Sequence, residues 1–335
     1  MKKKTAKLSS PIKSGNDELT LGIDCGGTNL KLALVNRAGG ILNSKLVPID
    51  FKESPERVLI RMAQTIKQFL KDCQASKVKS IGMGIAGEVD QGQGVVRFSP
   101  NLNWKNVAVK KALIKELKTP IFVENDANAA AWGAYCLDAQ MDCENLLCLT
   151  LGTGVGGGII LGRKLYRGAT GSAGEIGHMS IDYHGRACKC GSRGCIESLI
   201  GAWGLMETAE KGLKAGKAPI LAKILTEPTA FESAKKLEPK TIQEAAAQGD
   251  PFCKELWQEA GEQLGCALAN LVNIFNPERI ILCGGVSKVG DLLLKPALKT
   301  LSERAFATPA QKVKVTVSKF DQQLGVVGAA LLFWE

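Results

Sequence analysis

The chain has 335 residues, 45% of them hydrophobic, with 37 glycines and a formal net charge of +10. That length exceeds what one core usually organises, so two domains are expected, and no apolar run reaches the length that spans a bilayer. The basic excess does not make a nucleic-acid binder: lysines are spread along the whole chain, with no arginine-rich block or aromatic-interleaved stripe, and anionic small-molecule substrates explain the charge equally well.

Residues 1–18 open with Met1-Lys-Lys-Lys-Thr-Ala-Lys7 but lack the hydrophobic segment of a signal peptide, and read as a solvated basic tail. Eleven cysteines without an export signal point to a reducing, cytoplasmic setting, with metal ligation favoured over disulfides. Leu19 to Asp24, a glycine turn, and Leu30 to Asn36 predict a β-hairpin, with a third strand over Ile41 to Ile49. Ser54-Pro55 starts a helix running to Asp72 with Val58, Ile60, Met62, Ile66 and Leu70 on its apolar side. Val78 to Ala86 predicts a buried strand, Asn106 to Leu117 a helix, Ile121 to Glu124 a strand, and Ala127 to Tyr135 a helix directly behind Asn125-Asp126. The second half opens with a strand over Asn145 to Leu151, a glycine turn, and Ile159 to Leu161. Residues 202–250 read as helical, Glu255 to Phe275 as a long helix, and Ile280 to Cys283 as a strand. A helix near 290–303, a strand over Val313 to Ser318 and a helix over Gly325 to Phe333 complete the chain.

One repeat stands out. Twice an apolar strand, a glycine turn carrying a threonine, and a second apolar strand follow one another: Leu21-Gly-Ile-Asp-Cys-Gly-Gly-Thr-Asn-Leu30 and Leu149-Thr-Leu-Gly-Thr-Gly-Val-Gly-Gly-Gly158. Glycine lets backbone N–H groups approach an anion, and threonine adds a hydroxyl donor. Two such hairpins suggest two similar lobes facing each other across a nucleotide. Asp24, at the end of its strand, is placed to hold Mg²⁺ or its water shell beside the phosphates. Gly152 to Gly157 also satisfies G-x-G-x-x-G, but strand residues follow where the dinucleotide fingerprint needs a helix.

Glu124-Asn125-Asp126-Ala127-Asn128 sets carboxylates and amides where a buried strand becomes a helix. Capping explains one of them; strand ends in α/β folds also line clefts, so a catalytic role is compatible with the cap. Neither a Walker A sequence nor the protein-kinase motif set is present. His178, Cys188, Cys190 and Cys195 supply four thiolate or imidazole ligands, which fill a tetrahedral zinc site and leave no open position for an activated water. Such a zinc is structural; the bland alternatives are a disulfide or plain buried thiols. Glu175 and Glu197 flank the cluster.

These ordered motifs, joined by Ser99-Pro-Asn-Leu-Asn-Trp104, Gly174-Glu175-Ile-Gly-His178, Asn276-Pro277 and Cys283-Gly-Gly-Val286, resemble the ROK family of sugar kinases, and most closely its bacterial glucokinases. The resemblance runs from about Leu19 onward. It implies a two-lobed α/β fold of the actin/hexokinase (ribonuclease H-like) type, with nucleotide and sugar in the cleft. The implied small lobe is residues 19–124 plus 322–335, and the large lobe 125–321 with a zinc-binding loop at 175–197. It implies ATP-dependent phosphorylation of a hexose, with glucose first, Mg²⁺ accompanying ATP, and structural zinc ordering the sugar loop. Asp126 is implied as general base, and Asn101, Asn125, Glu175, His178 and Glu197 as partners of the sugar hydroxyls. Gly26, Gly27, Thr28, Gly152, Thr153 and Gly154 are implied to cradle the phosphates, with Gly284 and Gly285 near the adenosine. Ala86, where many members carry proline, and Cys283, where glycine is common, depart from the pattern.

The family also holds sugar-responsive repressors. These carry a helix-turn-helix ahead of the sugar-binding part, for which the 20 residues before Leu21 are too few. Other open readings are a kinase for N-acetylmannosamine or fructose, and polyphosphate as donor. A homodimer is expected, with no nucleic-acid or membrane partner.

Overall fold

Short apolar strands broken by glycine turns fold this chain into two sheets of one plan. The computed structural model describes residues 18–75, 77–226 and 235–335; most of the basic tail (1–17) and part of the helical stretch (227–234) lie outside the described residues. Strand β1 (Leu19–Cys25) turns into antiparallel β2 (Asn29–Asn36), which pairs with antiparallel β3 (Ile41–Pro48). Helix α1 (Pro55–Asp72) crosses over to β4 (Ile81–Ile85), parallel to β1. A separate antiparallel sheet follows, made of β5 (Glu88–Asp90), β6 (Val95–Ser99) and β7 (Trp104–Val107). Helix α2 (Val109–Leu117) then leads to β8 (Ile121–Asn125), parallel to β4.

After α3 (Asp126–Leu137) the plan repeats. β9 (Leu146–Leu151), β10 (Val155–Leu161) and β11 (Lys164–Leu165) form an antiparallel meander. Helices α4 (Ile196–Ile200), α5 (Ala202–Lys214), α6 (Pro219–Thr226), α7 (Pro239–Ala247) and α8 (Pro251–Phe275) precede β12 (Arg279–Cys283), parallel to β9. Next come α9 (Asp291–Arg304), α10 (Ala307–Lys312), β13 (Lys314–Val317) parallel to β12, and α11 (Leu324–Leu331). The sheet orders are β3-β2-β1-β4-β8 and β11-β10-β9-β12-β13. Each is a meander followed by two parallel strands, so the repeated glycine hairpin is the opening of each lobe.

Each sheet has its own core, and a third apolar cluster joins them. In that junction α3 and α11 pack between Ala33 and Val35 of the first sheet and Leu146, Cys148 and Ile281 of the second. The two helices touch closely: a Cβ on Gly328 would come within 1.8 Å of the Ala129 carbonyl oxygen, so only glycine fits there. Helices α3 and α11 thus form the packing that joins the two sheets. Leu264, Leu268, Leu271 and Val272 of α8 are buried in the second core rather than presented to a partner.

Three expectations shift. On α1 the buried positions are Val58, Leu59, Met62, Ala63, Ile66 and Phe69, while Ile60 is 52% exposed, because the i, i+3, i+4 rows of a helix pass it by. Asn106 belongs to β7 with φ +54 instead of opening a helix, and α2 begins at Val109. The small β5–β7 sheet was not anticipated, since strands of three to five residues are too short to display alternation.

Candidate active site in the interlobe cleft

The turn from β8 into α3 is built by its own side chains. Asn125 caps the helix: its Oδ1 accepts from the N–H groups of Ala127 (2.9 Å) and Asn128 (3.0 Å). Its Nδ2 donates to the Gly87 carbonyl (3.0 Å). Both ends of this amide are committed to the protein, so Asn125 shapes the turn as well as lining the cleft. Asp126 follows at the first position of α3, where the helix dipole favours a carboxylate and the Ala127 N–H donates to Oδ1 (3.0 Å). Desolvation nevertheless outweighs these contacts. With the Asp24 carboxylate nearby as a second cause, it raises Asp126 from 3.8 to about 6. Asp24, at the end of β1, is itself raised by burial, with Lys31 opposing.

A cavity of about 1000 Å³ opens in front of this turn. Asn101, Asn125 and Asp126 line one side; Gly152, Thr153, Gly154, Glu175, His178, Glu197 and Gly284 line the rest. A smaller cavity of about 210 Å³ shares Asp126 and Gly284 with it and adds Asp24 and Asp321. Gly26, Gly27 and Thr28 form the exposed β1–β2 turn and border neither cavity, nor does Gly285. The two halves of the expected phosphate cradle are thus unequal in this conformation. Glu197 lines the cavity and has a second contact: its Oε2 accepts from the Val155 N–H (3.1 Å), which ties it to the second glycine turn. A Cβ on Gly154 would lie 2.3 Å from that oxygen, so glycine is what admits the carboxylate.

The four candidate metal ligands converge. The ligand atoms of His178, Cys188, Cys190 and Cys195 all lie within 4.8 Å of one another. Cys190 Sγ to Cys195 Sγ is 3.7 Å and Cys188 Sγ to His178 Nδ1 is 3.9 Å. Zinc–sulfur bonds of ~2.3 Å at tetrahedral angles separate ligands by roughly 3.8 Å, so the spacing and the donor set suit zinc. None of the eleven cysteines is disulfide-bonded among the described residues. The Ser192 N–H holds the Cys190 thiol below its ordinary range, whereas burial pushes Cys195 up to about 12. With Nδ1 facing the sulfurs, His178 Nε2 lies 4.0 Å from Glu175 Oε2 at the cleft. One ring thereby connects the cluster to the cleft wall.

A model described as the ROK family matches residues 20–335. The chain belongs to the ROK family. It is 33% identical to the glucokinase of Halalkalibacterium halodurans, over 95% of each chain. It is 31% identical to the xylose repressor of Caldicellulosiruptor bescii, over 92% of this chain and 76% of that one. The crystal structure of a ROK family glucokinase from Streptomyces griseus, in complex with glucose and AMPPNP, superposes with TM-score 0.76 and 34% identity, over 93% of this chain and 98% of that one. The fold of this ROK protein is therefore the actin-like one of the sugar kinases.

The ROK cleft also holds residues to which the sequence motifs gave no role. Phe98, on β6, is 54% exposed at its mouth. Lys189, between two of the cysteines, places Nζ 4.7 Å over the Trp203 ring, and the Trp203 N–H donates to the Thr153 carbonyl (3.4 Å). Asp321 accepts from the Gly284 N–H and pairs with Lys288 at 2.7 Å. Only Lys189 had a sequence signal, its place inside the cysteine knuckle.

Proposed function

We propose that this protein transfers the terminal phosphoryl group of ATP to a hydroxyl of a hexose, with glucose the preferred sugar. The observation that carries the reading is Asp126: a carboxylate at a strand-to-helix turn, raised to about 6, facing the cavity shared by the glycine turn and by Glu175, His178 and Glu197. Its full-length glucokinase relatives support the hexose-kinase class.

In the proposed reaction Asp126 accepts the proton of the attacking hydroxyl as its oxygen bonds to the γ-phosphorus and the bond to the ADP oxygen breaks. Asn101, Glu175, His178 Nε2 and Glu197 hydrogen-bond the remaining hydroxyls; a sugar that left these groups unpaired would be rejected by 10²-fold or more, on the order of what unmatched buried polar groups cost. The Gly152–Gly154 turn supports the phosphates, with Gly284 at the nucleotide end. Asp24, beside Asp126 on the smaller cavity, fits the role of holding the Mg²⁺ that neutralises charge on the phosphates. His178, Cys188, Cys190 and Cys195 would hold a zinc ion, which would anchor the loop carrying Glu175 and Glu197. The repressor relatives sustain one alternative, a regulator that binds sugar without turnover.

The pH profile tests the base. Because the ionised form is the active one, kcat/KM should be flat above pH 7 and fall about tenfold per unit below about 6. A profile flat down to pH 5 would remove Asp126 from this role.

A further inference from the structure

Glu124 is a carboxylate with only 2% of its surface exposed, one residue ahead of the Asn125–Asp126 turn. Its Oε1 accepts from the Asn125 N–H (3.0 Å) and from Asn128 Nδ2 (3.1 Å). Its Oε2 accepts from Arg167 Nε (2.7 Å). Arg167 follows β11, and its side chain is 18% exposed. The other edge of the guanidinium meets Glu335, with Nη1 to Oε1 at 2.6 Å and a second contact from Nη2 to Oε2. Arg167 also begins the segment that leads to the sugar loop: its carbonyl accepts from the Ala173 N–H (3.1 Å), just before Gly174-Glu175.

A buried carboxylate without a counter-charge is costly. Arg167 supplies that charge to Glu124, which in turn holds Asn125 and Asn128. Asn128 Oδ1 is itself buried without a hydrogen-bond partner, so the amide is held through its Nδ2 contact to Glu124. The planar guanidinium serves two carboxylates on two edges at once, a geometry that an ammonium does not reproduce.

We propose that Arg167 is a positioning residue for phosphoryl transfer: acting through Glu124, it holds the Asn125–Asp126 turn in register with the segment bearing Glu175 and His178. This rests on the hexose-kinase reading with Asp126 as base. Its consequence is that charge at position 167 governs the placement of the base and of the sugar, and leaves the nucleotide end alone.

The test is a double-mutant cycle in the full chain with Arg167→Met, Glu124→Gln and the pair, measuring kcat and both KM values at fixed zinc content. Arg167→Met should lower kcat by about 100-fold, the scale of an ångström of misplacement, and raise KM for the sugar, with KM for ATP within about twofold. Glu124→Gln should do the same to a lesser degree, and the pair should be no worse than Arg167→Met alone. Arg167→Lys, which keeps a charge beside Glu124, should recover part of kcat; it replaces Arg167→Met in the cycle if that variant does not fold. Native kcat and sugar KM in a folded Arg167 variant would overturn the proposal. So would additive losses in the pair, or equal losses for sugar and ATP. Absence of sugar phosphorylation in the unmodified chain would instead sink the hexose-kinase reading itself.

Discussion

Asp126→Asn should leave sugar and nucleotide affinities near native and lower turnover by about 10²–10⁴-fold, the range that general-base catalysis contributes. Asparagine keeps the shape and can still accept from the Ala127 N–H, but it takes no proton at neutral pH. The same change should stabilise the fold. The folded protein raises this carboxyl from 3.8 to about 6, so it holds the proton more tightly than the unfolded chain does. Stability therefore declines as pH rises from below 3.8 through 6, and above pH 7 the ionised group costs about 1–3 kcal/mol, allowing for its partial exposure. Thermal melts should show the variant ahead of the native protein at pH 7, with the gap closing toward pH 4. Near-native turnover would refute the base assignment, and a variant less stable at pH 7 would refute the electrostatic argument.

Stripping the metal should have the second largest effect. Zinc analysis should find about one ion per chain, lost on chelation or in Cys190→Ser. Tm should then fall by on the order of 10 °C, and turnover should follow it down, because Glu175, His178 and Glu197 lose the anchor that faces them to the cleft. Ligation needs thiolates, so retention of zinc should weaken as pH falls. An unchanged Tm after complete chelation would mean that the four side chains hold the loop without an ion.

What was legible in the sequence was what local spacing encodes. Both glycine hairpins, the capped Asn125–Asp126 turn and the His178–Cys195 cluster each lie within one short stretch of chain, and each appears in place. The unread features depend on long-range contacts. Arg167 reaches Glu124 across 43 positions, and Cys148 and Cys283 meet in the lobe joint across 135. The family resemblance implies Glu197 as a sugar ligand, and its carboxylate also binds the Val155 N–H, a contact set by how α4 docks on the β9–β10 turn. That Gly26, Gly27 and Thr28 are exposed and line neither cavity is likewise nothing a turn motif encodes.

The most direct measurement is ADP release from MgATP by the purified, zinc-loaded chain across a panel of hexoses. Fast turnover on glucose, with fructose and N-acetylmannosamine poor, is the predicted result. Saturable sugar binding with no turnover on any hexose would contradict it and leave the regulator reading in its place.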